Sequence, residues 1–320
     1  MIPALGAGPE FDRIRAIAES LGRRAAGLGD DCALISFGAE YLAVSTDISI
    51  EGVHFRKDWL TLEEIGWRSA AGALSDLAAV GAEPIGILAS LALPLQSPAS
   101  DVVALMEGIG QAVDAVGGKV LGGDLARGPA ITIDVTVIGR TRAPVRRSGA
   151  SVGDGIWVTG SLGASRAALV TWQQGDIPGP GARRAFTHPE PRIAAGQWLA
   201  RAGAHAMIDL SDGLAGDAAH LSAASHVSIA IELELLPLGV GVGAAAVLSG
   251  QDPPRFAALG GEDYELLVAL PAVFSADHAA NFQHEVGLPL TRIGRVEAGQ
   301  DALLTLGGRA VNLSGYDHFS

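Results

Sequence analysis

The chain holds one cysteine, Cys32, in 320 residues. No intramolecular disulfide can form, which fits a reducing cytoplasm. Cys32 itself reads as a small buried hydrophobe and not as a nucleophile. Basic residues are also scarce, 22 Lys and Arg against 35 Asp and Glu, for a formal net charge of −13. That balance argues against nucleic acid as the main partner, because a phosphate backbone needs a basic footprint. It also leaves no Lys/Arg cluster or basic amphipathic helix for a membrane surface. No uncharged apolar run reaches about 18 residues, so no membrane span is expected. Met1 to Glu10 lacks a positive stretch leading into an apolar core, so no signal peptide is expected. Several chemical signatures are missing too. No Gly-x-x-x-x-Gly-Lys-Ser/Thr loop occurs. The eight His show no zinc spacing. No Gly-x-Ser-x-Gly elbow lies between a strand and a helix. Gly239, Gly241 and Gly243 have the wrong spacing for a dinucleotide fingerprint.

What is present is a large apolar fraction, 48%, enough for one large or two medium domains. Periodicity predicts an amphipathic helix over Phe11 to Leu21, with Phe11, Ile14, Ile17 or Ala18, and Leu21 on one face. Strands follow at 33–37 and 41–50. Thr61 caps a long helix that runs to about Val80, with Glu63 and Glu64 in its first turn. A strand at 85–93, a helix at 98–116 and a short strand at Val120-Leu121 come next. Residues 130–139 alternate as Ile131, Ile133, Val135 and Val137, a half-buried strand. The Arg-, Gly- and Pro-containing segment 140–155 marks a domain boundary, dividing the chain into 1–142 and 143–320. Beyond it lie strands at 156–159, 205–209, 228–233, 265–270, 290–296 and 302–306. Helices are expected at 163–174, 191–202, 213–224 and 271–286. Loops are expected at 175–182 and at 236–254, the latter with one short helix. This mixed order favours an α+β fold with two α/β domains, not a doubly wound sheet.

Six short acidic segments carry the chemistry. They are Gly29-Asp30-Asp31-Cys32-Ala33, Ser45-Thr46-Asp47, Leu74-Ser75-Asp76, Gly122-Gly123-Asp124, Asp209-Leu210-Ser211-Asp212-Gly213 and Gly260-Gly261-Glu262-Asp263-Tyr264. Asp beside Gly is ordinary turn chemistry, and one such segment alone means little. Six together are a different matter. Clustered carboxylates stay ionised only with positive charge among them. With few Lys nearby, a divalent cation with oxygen ligands, Mg²⁺, Mn²⁺ or Ca²⁺, is the expected counter-charge. His54, which follows a strand close to two of these segments, is the one histidine with a suggestive position.

These segments resemble the thiamine-monophosphate kinase family. Residues 29–33, 45–47, Glu51-Gly52-Val53-His54-Phe55 and 74–82 look like its N-terminal half. Gly122-Gly123-Asp124, Arg147-Ser148-Gly149, 209–214, Gly261-Glu262-Asp263-Tyr264-Glu265-Leu266 and Gly315-Tyr316-Asp317-His318-Phe319 look like the rest. The resemblance runs in order from residue 29 to 319. The Glu-Gly-Val-His-Phe, Gly-Glu-Asp-Tyr-Glu-Leu and Asp-His-Phe segments together set the kinase apart within the wider aminoimidazole-ribonucleotide-synthetase-like superfamily.

The resemblance implies mixed sheets with helices packed on one side, a homodimer built on the first domain, and a cleft that takes ATP and several Mg²⁺ ions. The implied reaction moves the γ-phosphoryl of ATP to thiamine monophosphate. Matched by motif, Asp31, Ser45, Thr46, Asp47, Asp76, Asp124, Asp209 and Asp212 are the implied metal-site residues. Gly123, Asp124, Arg147 and Ser211 fall on the ATP side, and His54, Glu262 and Tyr316 on the thiamine phosphate side. No general base is implied; metals and Arg147 would stabilise charge. Four positions depart from the family pattern: Leu125 and Ala126 where many relatives have two Thr, Ala73 where an Asn is frequent, and Met106 in the stretch where an aromatic often lies near adenine. Other readings are a sister ATP-dependent synthetase, a maturation or scaffold protein, and a non-catalytic metal-binding protein. The selenide enzymes carry a reactive Cys or selenocysteine near the N-terminus, where this chain has none. The maturation proteins use a C-terminal Cys, whereas this chain ends His318-Phe319-Ser320.

Overall fold

The computed structural model describes residues 4–25 and 27–319. Ser320 and the first residues of the stretch read for a signal peptide lie outside them. Two mixed sheets organise the described chain. The first contains β1 (Ala33–Phe37), β2 (Glu40–Ile50), β3 (Glu83–Leu93), β4 (Val120–Arg127) and β5 (Thr132–Thr141), in the order β1-β2-β5-β3-β4. All its pairings are antiparallel except β3 with β4. Helices α2 (Leu62–Ala79) and α3 (Ala99–Ala115) pack together, and α2 lies against β2 and β5. The second sheet contains β6 (Gly155–Thr159), β7 (Ala206–Asp209), β8 (Ser228–Glu232), β9 (Leu266–Leu270), β10 (Leu290–Glu297), β11 (Ala302–Leu306) and β12 (Arg309–Val311). Its order is β12-β11-β8-β10-β6-β9-β7. This is the expected α+β architecture of two mixed-sheet halves. No helix among the described residues is long and apolar enough to cross a membrane.

Period-two alternation explains the first sheet. On β5, Ile133, Val135 and Val137 are buried, while the residues between them are only half-covered. The register sets Ala43 beside Gly139, Ser45 beside Val137 and Asp47 beside Val135 on the face that α2 covers. Thr46, Thr136 and Leu88 share the opposite, open face. Helix α2 begins as its sequence demands. The Thr61 hydroxyl accepts from the Glu64 N–H at 3.2 Å, and the Glu64 carboxylate accepts from the Thr61 N–H at 3.0 Å. This capping box satisfies two otherwise orphaned donors. Ile65, Leu74 and Leu77 on this helix are fully buried, each contributing about 1.5–3 kcal/mol of apolar burial.

Three local expectations change. Strand β4 runs on through Gly122, Gly123 and Asp124 instead of stopping before them. A Cβ on Gly123 would sit 1.8 Å from the Ala89 carbonyl oxygen, so glycine is what lets β4 close on β3. Two prolines start helices where loop was expected: Pro180 opens α5 (Pro180–Thr187), and Pro253 opens α9 (Pro253–Ala258), after α8 (Val242–Leu248). Proline at the first helical position loses no hydrogen bond, so its presence does not forbid a helix. On α1 (Pro9–Leu21), Phe11 and Ala18 are buried, but Ile17 and Leu21 are exposed.

Candidate active site

Asp31, Asp76 and Asp209 come from three distant parts of the chain. Asp31 lies just before β1, Asp76 in the last turns of α2, and Asp209 at the end of β7. Each offers a carboxylate oxygen, and these oxygens all lie within 4.8 Å of one another. Asp31 and Asp209 are buried. Burial and the neighbouring acids push Asp209 up to about 7 and Asp76 well above the usual carboxylate range. The Ser45 hydroxyl works the other way at Asp76 and favours its charged form. Arg147 is the main protein cation here. It donates to Asp31 Oδ1 from Nη2 at 2.7 Å and from Nε at 3.2 Å. Asp31 Oδ2 is buried and has no hydrogen-bond partner.

Orphaned oxygen, like charges at close quarters and an all-oxygen donor set fit a hard divalent cation. Cys32 does not change that chemistry. It is buried, donates to the Asp76 carbonyl at 3.4 Å, and its thiol is pushed up by burial and the surrounding acids. Asp30 ties the loop to the linker beyond β5. Its Oδ1 accepts from the Arg147 N–H at 3.1 Å, and burial with the Asp31 charge raises it to about 6.

The triad opens into a cleft of about 870 Å³ lined by residues of both halves. Asp47, Asp76, Asp209, Ser211 and Asp212 line it, as do His54, Glu262 and Tyr316. Asp47 faces the cleft solvent but is enclosed by protein, and that desolvation pushes it up to about 6. Asp212 is likewise raised to about 6, by burial and then by Glu10. His54 Nδ1 accepts from the Ile50 N–H at 3.0 Å, so the neutral ring carries its proton on Nε2. Burial holds its pKa below the ordinary value, with the nearby His318 acting in the same sense. Tyr316 is exposed, and its N–H donates to the Asp212 carbonyl at 2.9 Å.

Thr46 lines the cleft as well, though its Oγ1 turns to the open sheet face, 3.1 Å from Asp134 Oδ1 and 3.2 Å from Thr136 Oγ1. Gly123 and Asp124 lie on the exposed strand β4 and do not line the cleft. Sequence reading also missed residues that matter. Arg68 is buried and pairs with Glu262. Tyr264 is buried, and its hydroxyl lies 2.9 Å from where a Gly72 Cβ would be. The signal was available in α2, where Glu64, Arg68, Gly72 and Asp76 recur every fourth residue and so share one face.

The two halves match the AIR synthase related protein models, the N-terminal domain over residues 29–141 and the C-terminal domain over 151–306. Fold and carboxylate-lined cleft therefore define an AIR synthase-related protein. Among similar proteins, the thiamine-monophosphate kinase of Mycobacterium tuberculosis H37Rv is 35% identical over 296 residues, covering 92% of this chain and 85% of that one. The thiamine-monophosphate kinase of Aquifex aeolicus is 33% identical over 314 residues, covering 97% and 98%. The structure of AaThiL complexed with AMPPCP and TMP superposes with a TM-score of 0.87 at 33% identity, covering 97% of each chain. The HypE–HypF complex, at 21% identity and a TM-score of 0.79, shares the fold. The chain belongs to the thiamine-monophosphate kinase family.

Proposed function

We propose that this protein transfers the γ-phosphoryl of ATP to thiamine monophosphate, giving thiamine diphosphate and ADP, with magnesium as the cation. The observation that carries the reading is one cleft lined both by the acids beside the triad and by His54, Glu262 and Tyr316. Asp31, Asp76 and Asp209 would hold the cation, with Ser45, Asp47 and Asp212 close by. When bound, magnesium supplies neutralisation of phosphoryl charge and alignment of two polyanions. The protein's own part is positioning, because phosphoryl transfer has a loose transition state and needs little covalent help. Arg147 offsets the charge of Asp31. The acceptor phosphate has a second pKa of about 6 if it behaves like a protein phosphoester. Near neutral pH it is then mostly dianionic and already nucleophilic, so no general base is required. A covalent relay would solve no chemical problem, and the transfer is direct.

A homodimer over the open face of the first sheet accompanies this reading. Ile48, Ile85 and Leu88 are exposed there, beside the row Ile48, Asp134, Ser90 and Asp124. Gly123 and Asp124 keep their ATP and metal roles only if such a contact brings them to a site. The division of the chain at 142/143 and a cytoplasmic setting belong to the same reading.

The test is purified protein with ATP, Mg²⁺ and thiamine monophosphate, followed by chromatography. Thiamine diphosphate is expected, with no product in EDTA. Product absent under all conditions would refute the assignment. Incubation with γ-labelled ATP and Mg²⁺ but no acceptor should leave no label on the protein. Label chased into thiamine diphosphate at the rate of turnover would refute direct transfer. Light scattering should give a dimer, and a monomer at assay concentration would refute the shared sheet.

A further inference from the structure

Arg68 is the least explained charge in the molecule. Its side chain is 4% exposed, yet it lies in α2, in the middle of a buried helix face. Every group that holds it comes from outside that helix. Nη1 donates to the Phe186 carbonyl at 2.5 Å, and Nη2 donates to the His54 carbonyl at 3.3 Å. Nη2 also donates to Glu262 Oε1. The guanidinium lies 3.9 Å from the Phe186 ring centroid, in cation–π range. One side chain thus joins the His54 loop, the end of α5 and the Glu262 loop. Glu262 needs such a tie. Its φ is 61° and that of Tyr264 is 51°, left-handed values that non-glycine residues rarely adopt. Such backbone persists only when its surroundings over-determine it.

We propose that Arg68 is a positioning residue for the acceptor end of the cleft. It fixes the Glu262 carboxylate and the His54 loop where thiamine monophosphate is held, and it touches neither substrate. This deepens the kinase reading and rests on it. A fixed carboxylate complements the cationic thiazolium ring of the acceptor, and a mobile one would lose orientation. Lysine cannot replace the group, because a point charge does not reproduce a planar fork with several directed donors.

The proposal predicts a split between substrates. In Arg68→Lys the KM for thiamine monophosphate should rise about tenfold or more, the expected size for losing a hydrogen bond to a charged group. The KM for ATP should stay within about twofold, as for a site that is not coupled. Glu262→Gln should raise the acceptor KM to a similar degree. The double variant should be no worse than the worse single variant, since both changes undo one arrangement. Equal shifts in both KM values, or acceptor effects that multiply in the double variant, would overturn the proposal. Glu262→Asp keeps the charge, shortens the reach to Arg68 and sits on a part-exposed side chain, so it serves if Arg68→Lys does not fold. It should behave like Glu262→Gln, and wild-type acceptor KM in Glu262→Asp would overturn the proposal. A wild-type protein that makes no thiamine diphosphate would instead overturn the kinase reading itself.

Discussion

Asp31, Asp76 and Asp209 at one end of the cleft and Glu262 at the other are all acids held by protein, but their charges are met differently. Glu262 has Arg68 against it. The triad has one arginine, Arg147, hydrogen-bonded to Asp31 and acting on Asp209 only through its charge, and Asp31 Oδ2 is without a hydrogen-bond partner. Helix α2 carries both ends, since Arg68 and Asp76 lie eight residues apart, or about 12 Å along the axis. One end is completed by the protein. On the proposed reading, the other is completed by a bound cation. That difference fits the raised values of Asp76, Asp209, Asp47 and Asp212, where burial outweighs what little positive charge lies nearby: such carboxylates resist ionisation in the absence of a cation.

The comparison breaks most sharply at the triad. Asp76→Asn or Asp209→Asn should lower kcat by about a hundredfold or more, as expected when a metal's neutralisation of phosphoryl charge is lost. Circular dichroism should stay native, because an amide of equal size replaces a carboxylate that desolvation already disfavours. Near-normal turnover would remove the triad from the mechanism. Asp47→Asn should cost less, about tenfold, and mainly at limiting Mg²⁺, as for a residue that supports metal binding from outside the triad. Normal turnover at limiting Mg²⁺ would contradict that role.

Gly72 lies between the two ends. A Cβ there would stand 2.9 Å from the Tyr264 hydroxyl and 3.2 Å from Asp47 Oδ2. Gly72→Ala should therefore slow turnover about tenfold by displacing either group, with little change in melting temperature. Unchanged kinetics would show that the space is not needed.

The smallest expected effect is on stability, and its sign follows from protonation. Seven carboxylates have raised values: Asp30, Asp47, Asp76, Asp209, Asp212, Asp217 and Asp263. Each holds its proton in the folded protein above the pH at which the unfolded chain loses it. Their contribution is thus fully present at low pH and is lost as pH rises from about 4 through about 6 for Asp30, Asp47 and Asp212 and about 7 for Asp209, and higher still for Asp76, Asp217 and Asp263. His54, His188 and His220 are lowered and act in the opposite sense, while the lowered carboxylates Glu51, Asp58, Glu64 and Glu285 titrate in the acid range, outside the interval from about pH 5.5 to 7.5, so within it the raised acids are the larger group. Metal-free protein should lose melting temperature between pH 5.5 and 7.5, and Mg²⁺ should restore more of it at pH 7.5 than at pH 5.5. A Mg²⁺ gain that shrinks as pH rises would contradict the charge state assigned to the triad.

Much of this was legible in the chain. The alternation of Ile133, Val135 and Val137 and the Thr61/Glu64 cap are local signals, and both appear as read. Three of the six acidic segments supply Asp31, Asp76 and Asp209, and each was legible because it is a contiguous run. Arg68 was harder, since its partners Phe186 and Glu262 lie 118 and 194 residues away. Its only trace is the four-residue spacing along α2. Strand β4 misled because Gly122-Gly123-Asp124 is turn-like by itself, and only pairing with β3 makes it a strand. Adjacency in sequence also hides which way a side chain turns: alternation sends the Thr46 hydroxyl to the face opposite the side chains of Ser45 and Asp47, although Thr46 and Asp47 both line the cleft.

The central claim is that the acids at one end of the cleft are completed by a bound cation. Mn²⁺ titration followed by electron paramagnetic resonance tests it directly, on wild type and on the Asp76→Asn/Asp209→Asn double variant, each with a non-hydrolysable ATP analogue. Wild type should hold more Mn²⁺ per chain than the variant, with the difference disappearing as pH falls towards 5. Equal Mn²⁺ binding by two folded proteins would contradict the claim.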